Sequence, residues 1–111
     1  MKLKAAELEV GYLYMTSANQ YRAVLAMNAG FMIYAPSIES SKPLNLTSIK
    51  MPFDNQPFKK CQTLTFAKKD YQAFDLNGAV AIKHKLNELQ LAEAITQCNA
   101  KSAIATLLAD H

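Results

Sequence analysis

The chain has 111 residues, half of them hydrophobic and 19% charged, with a net charge of +3. That balance is too apolar for a disordered segment, and the length suits one domain that buries about two-thirds of its unfolded surface without metal or disulfide staples. Three glycines leave no room for a Gly-rich phosphate loop, and there is no metal-ligand spacing and no carboxylate pair in an apolar run. No cofactor, metal or catalytic residue is therefore expected.

Residues 1–10, MKLKAAELEV, put Glu7 and Glu9 where a signal peptide needs its apolar core, and no run approaches the ~20 residues of a membrane span. The expectation is a cytoplasmic protein with no membrane partner, in which Cys61 and Cys98 are free thiols. Leu8 and Val10 alternate weakly with Glu7 and Glu9, so residues 2–10 either extend the first strand or form a short helical turn.

Gly11 to Pro36 is the best-specified stretch. Tyr12 to Met15 is an apolar, aromatic run stopped by Thr16-Ser17-Ala18-Asn19, whose hydroxyls and amide can close a turn. In the next run Tyr21, Ala23, Leu25 and Met27 share one parity, against Gln20, Arg22, Val24 and Ala26, which predicts a half-buried strand. Asn28-Ala29-Gly30 tolerates positive φ, and Phe31 to Ala35 returns as a third strand until Pro36. A twisted meander of this kind predicts completion into a small SH3-like barrel.

After Pro36 a polar connection leads to the mixed run 44–51, a candidate fourth strand. Pro36, Pro43, Pro52 and Pro57 exclude a long helix there, confine any strand to a sheet edge and make this segment the expected mobile region. Residues 61–75 read both ways: Leu64 and Phe66 alternate as in a strand, while Ala67, Tyr71 and Phe74 recur at helical spacing, which favours helix from about residue 65. Asn77-Gly78 breaks that pattern. Helix is expected over Ala79 to Leu91 and over Leu91 to Leu108, as one helix or as two with Asn99 capping the last. The fold class expected is thus α+β in a single domain, 1–111, β-rich over about 11–60 and helical over about 65–110.

The surplus charge is local, since residues 41–75 hold six lysines against three aspartates while both flanks are balanced. Lys59, Lys60, Lys68 and Lys69 alternate with Phe53, Phe58, Phe66, Tyr71 and Phe74, the cation and ring pairing used on single-stranded nucleic acid. The competing reading is a solvated lysine face over a buried aromatic core. Tyr12, Tyr14, Tyr21 and Tyr34 can each place the ring in the core and the hydroxyl at the rim, and the alternative is an aromatic binding face, which needs Tyr12, Tyr14 and Tyr34 exposed together. Residues 94–108 follow the spacing of a helix-turn-helix, although Gln97 and Asn99 stand where that motif buries apolar side chains. The titratable candidates are Cys61, Cys98, His84 and His111, of which Cys61 and His84 make the one conceivable nucleophile and base.

At Gly11, Tyr12, Tyr14, Tyr21-Arg22, Val24 and Tyr34 the chain resembles small orphan bacterial proteins of the integron gene-cassette type, over residues 8–35 with echoes at Pro52-Phe53 and from Cys61 to Ala67. The resemblance implies a non-catalytic accessory module and assigns no site residue. The expected function is a non-catalytic binding or assembly module, self-associating as a homo-oligomer or meeting a protein partner. The alternative is weak nucleic-acid binding.

Overall fold

A computed structural model of the chain describes residues 1–37, 48, 51–53, 56–76 and 78–109. The predicted meander is present as β1 (Tyr12–Thr16), β2 (Tyr21–Asn28) and β3 (Phe31–Pro36). Its turns follow from residues that accept a left-handed backbone. Asn19 has φ 63° and donates its N–H to the Thr16 carbonyl at 2.9 Å, while Thr16 N–H bonds the Gln20 carbonyl at 2.8 Å. At the second turn Ala29 (φ 53°) and Gly30 (φ 81°) are consecutive left-handed residues, and the Asn28 and Phe31 pair closes a two-residue hairpin.

The outer side of β3 carries β4 (Lys59–Gln62), and the outer side of β1 is shared by two short strands. β5 (Tyr71–Gln72) pairs with Met15 and Thr16, and β8 (His84–Lys85) with Tyr12 and Leu13, all antiparallel. The sheet does not close, so the expected SH3-like barrel is not formed. A barrel has one interior, whereas this sheet buries both of its faces under separate layers and so stays open.

Those two layers correct the half-buried reading of β2, in which Ala23, Val24, Leu25 and Ala26 are all buried. Leu13, Tyr21, Ala23, Ile33 and Ala35 point to one face, and Tyr14, Val24, Met32 and Tyr34 to the other. The ladder shifts register between Val24 and Ala26, so Leu25 is an extra residue. Beyond it Met27 packs with Tyr14 and Val24 instead of with Leu25, against the strict period-2 assignment.

The first face is covered by α2 (Glu88–Gln97) and α3 (Lys101–Ala109), through Ala94, Cys98, Ala100 and Leu107, together with Met51, Phe53, Phe74 and Leu86. The second is covered by the amino-terminal segment, with its 3-10 turn at Ala5–Glu7, and by α1 (Thr63–Ala67). Residues 2–10 therefore take the helical-turn option in part. The Tyr14 hydroxyl ties this segment down, accepting from Glu9 N–H and donating to the Glu7 carbonyl, each at 3.0 Å.

The expected helical half needs two corrections. The helix from about residue 65 is only the five-residue α1, and β5, β6 (Phe74–Leu76), β7 (Ala79–Ala81) and β8 occupy most of the span 71–85. Gly78, with φ 91°, donates its N–H to Asp75 Oδ1 at 3.0 Å, and β6 and β7 form a separate hairpin around it. Helix starts at Glu88, not at Ala79, because Asn87 caps it: its side chain accepts from Gln90 N–H at 2.8 Å, and the Gln90 side chain accepts from Asn87 N–H at 3.0 Å. The last helical region is two helices. Asn99 (φ 55°) ends α2 instead of opening α3, with Asn99 N–H on the Thr96 carbonyl and Ala100 N–H on the Ile95 carbonyl, the two bonds of a Schellman motif.

The candidate fourth strand, 44–51, lies outside the described residues apart from Ser48 and Met51. What is described of the proline-containing connection is anchored. Phe53 is fully buried, its N–H donates to Gln97 Oε1 at 3.1 Å, and Phe58 N–H bonds the Cys98 carbonyl at 3.1 Å.

Candidate binding surfaces

The alternative of an exposed aromatic face at Tyr12, Tyr14 and Tyr34 is not available, and Tyr14 and Tyr34 take the core reading. Tyr14 is 0% and Tyr34 6% exposed, and the half-buried Tyr12 ring is covered by Lys83, whose Nζ lies 5.0 Å from its centroid. These tyrosines belong to the core of the second face, where the rings of Tyr14, Tyr34 and Tyr71 stand 5.8, 5.1 and 5.5 Å from that of Phe66. Burial pushes the phenols of Tyr14, Tyr34 and Tyr71 above their ordinary range, with Arg22 partly opposing the effect at the last two.

The lysine segment is also rearranged by the fold. Phe53, Phe66, Tyr71 and Phe74 are buried and Phe58 packs against the helix-face core, so these rings offer no stacking platform to bases. Lys59, Lys60, Lys68 and Lys69 are all exposed, but they do not share a face. Lys60 pairs with Ile33 and sits over the Phe31 ring at 5.4 Å on the helix side, whereas Lys59 pairs with Tyr34 on the opposite side. Lys68 and Lys69 line a cleft on that opposite side, a 340 Å³ recess that also contains Arg22, Tyr34 and Cys61.

Cys61 and His84 are not brought together. Cys61 packs toward the second face on β4, and His84 lies by the Phe74 ring of the helix-face core on β8, four strand positions away, on the order of 20 Å. Burial also holds the Cys61 thiol above its ordinary range, opposed more weakly by Arg22. Cys98 is buried on the helix side, so the two free thiols are separated by the sheet. His111 lies outside the described residues. Among the described residues no three of His, Cys, Asp and Glu come close enough to hold a metal ion, and no helix is long and apolar enough to cross a membrane.

The helix-turn-helix spacing is occupied by α2 and α3, packed on the sheet. Gln97 and Asn99, the misfits to that motif, have structural work, one holding the backbone of Phe53 and the other supplying the left-handed residue. Asn28 Nδ2 donates to the Leu107 carbonyl at 2.9 Å and fixes α3 across β2, leaving Lys101, Ser102 and Thr106 exposed.

A surface that sequence reasoning missed lies at the hairpin end of the sheet. Between the amino-terminal 3-10 turn, the 29–30 turn and α1 runs a groove of 710 Å³. Ala5, Ala6, Met27 and Ala29 line it, and at its rim Phe31 is 41% and Leu64 61% exposed. The clue to it was Leu64, the large apolar side chain in a five-residue helix whose other large apolar residue, Phe66, is buried. No family model matches the chain, and no curated protein or solved structure matches it.

Proposed function

We propose that the protein is a non-catalytic binding and assembly module that self-associates through the groove beside α1. The observation that carries this reading is the apolar recess at the hairpin end of the sheet, lined by the two exposed large residues Phe31 and Leu64. The other exposed large apolar residues, such as Val80 on the β6–β7 hairpin and Leu89 and Leu108 on the helices, belong to other elements, and scattered residues of that kind are ordinary. An isologous contact would place Phe31 and Leu64 of each copy against the recess of the other. Sheet-edge pairing is a poorer route, because the edge strand β4 carries Lys59 and Lys60, the type of residue that blunts such edges. The accessory role implied by the resemblance over residues 8–35 agrees with this reading.

The chain is expected to sediment as an oligomer at micromolar concentration, and Leu64→Asp or Phe31→Asp to weaken association by about tenfold or more, as loss of a central apolar anchor does. A wild-type chain that stays monomeric ends the self-association reading.

A second reading, nucleic-acid binding, keeps its cations while losing its rings. Because Lys60 lies across the sheet from Lys59, Lys68 and Lys69, Lys60→Glu should leave any affinity for single-stranded DNA nearly unchanged, and Lys68→Glu with Lys69→Glu should abolish it. If all four lysines neutralised phosphates, the log-log salt slope would be about −3. A slope of that size with Lys60 contributing would place one strand across both faces, against this arrangement.

A further inference from the structure

We infer that the cleft between β2, β4 and the end of α1 binds a phosphate group, free or as a monoester. The site is independent of the apolar groove. Its central cation is Arg22, half-buried, with the guanidinium carbon 5.0 Å from the Tyr34 ring centroid and 5.4 Å from that of Phe66. Nη1 makes one long hydrogen bond, 3.4 Å, to the Tyr71 hydroxyl. The ion pairs among the described residues join Met1 to Asp70 and Lys83 to Glu9, and neither includes Arg22. A guanidinium has five N–H donors in a rigid fork, and the rings orient this one without using most of them.

Lys68 and Lys69 line the same 340 Å³ cleft, with Thr65 as a further hydroxyl, and among the described residues no carboxylate lines it. The adjacent Asp70 is engaged elsewhere: one oxygen takes the Met1 ammonium at 2.6 Å, the other the Ser17 hydroxyl at 2.9 Å. The acidic hydrogens within the cleft, on Tyr34 and Cys61, are retained because burial disfavours their anions. Three cations thus line a recess whose described residues supply no counter-charge. A carboxylate ligand would balance one of them. A phosphate monoester, with a charge of about −1.5 to −2 and three terminal oxygens, can take the Arg22 fork and both lysines at once. The volume is at the small end of the range of about 300–1,000 Å³ typical of small-ligand clefts.

The test is calorimetric titration of the full chain with inorganic phosphate, a nucleoside monophosphate and a single-stranded oligonucleotide, paralleled by alkylation of Cys61, for which the buried Cys98 is the internal control. Phosphate and the monophosphate are expected to bind with dissociation constants in the millimolar range or below and to slow alkylation of Cys61. Arg22→Gln should weaken binding by about tenfold or more, the effect of removing a charge-assisted partner. Since Arg22 packs on two rings, the exposed pair Lys68→Gln and Lys69→Gln supplies a variant that removes charge and little packing, and it too should lose affinity. Competition between phosphate and the oligonucleotide would support the site and identify nucleic acid as a source of the same group. Absence of both heat and protection at millimolar phosphate overturns the inference, as does unchanged affinity in either variant. Oligonucleotide binding that phosphate does not displace also overturns it.

Discussion

Phe66→Ala is expected to destabilise the fold by about 3–5 kcal/mol, the range for removing a fully buried aromatic side chain. Phe66 is 1% exposed and stands at the centre of the second-face core. Its ring meets Tyr14 and Tyr34 edge-on at 82° and 71° and stacks on Tyr71 at 29°. Such pairs contribute about 0.5–1.5 kcal/mol beyond buried area, and the Tyr71 hydroxyl donates to the Phe66 carbonyl at 2.7 Å, so the neighbours cannot collapse freely into the void. A domain of this size has about 5–15 kcal/mol in all, so the variant should be close to unfolded or strongly shifted in its denaturation midpoint. Leu64→Ala, two residues away and solvent-facing, should change monomer stability by less than about 0.5 kcal/mol. Urea denaturation of both variants decides it. A Phe66→Ala loss below about 1 kcal/mol would show that this face is not a packed core.

At high pH the fold should fail through the same tyrosines. Burial raises the phenols of Tyr14, Tyr34 and Tyr71 above the ordinary value of 10.0, so the unfolded chain releases these protons first. A raised native pKa contributes stability that is fully present below the unfolded value and is lost as pH climbs through the folded values. Stability should therefore hold up to about pH 10 and then fall, by as much as about 1.4 kcal/mol per pH unit for each buried tyrosine. Tyrosinate absorbance from these three should appear together with the loss of structure. Tyr34→Phe, which removes one titrating group while keeping the ring over Arg22, should reduce the slope by about one-third. An unchanged slope would exclude this origin of alkaline unfolding.

The meander was readable because its turns are specified by single residues. Asn19, Ala29 and Gly30 adopt the left-handed backbone close to where polar or small side chains interrupt the apolar runs. The helix over 79–91 was misread because Val80, Ile82 and Leu86 fit a helical stripe as well as strand fragments do. The discriminating signal, Asn-Gly at 77–78 between β-like residues, is a hairpin mark as well as a break in the helical pattern. The role of Arg22 is not legible in the sequence for a different reason. In the chain it is a lone cation in an apolar strand, and it becomes a site only where β4 and α1, some 40 residues later, bring Lys68 and Lys69 to it.

Local chemistry therefore set the turns, the Asn87 cap and the stop at Asn99, because each depends on the hydrogen bonds and backbone preferences of a few neighbouring residues. Non-local pairing decided the rest. Whether residues 71–85 became helix or strand depended on the free edge of β1, which β5 and β8 could fill. Which tyrosines were buried depended on the amino-terminal segment and α1 covering a face that alternation alone left exposed. The division of the lysines between two faces follows from the register of β4 on β3, a fact of pairing that no spacing along the chain contains.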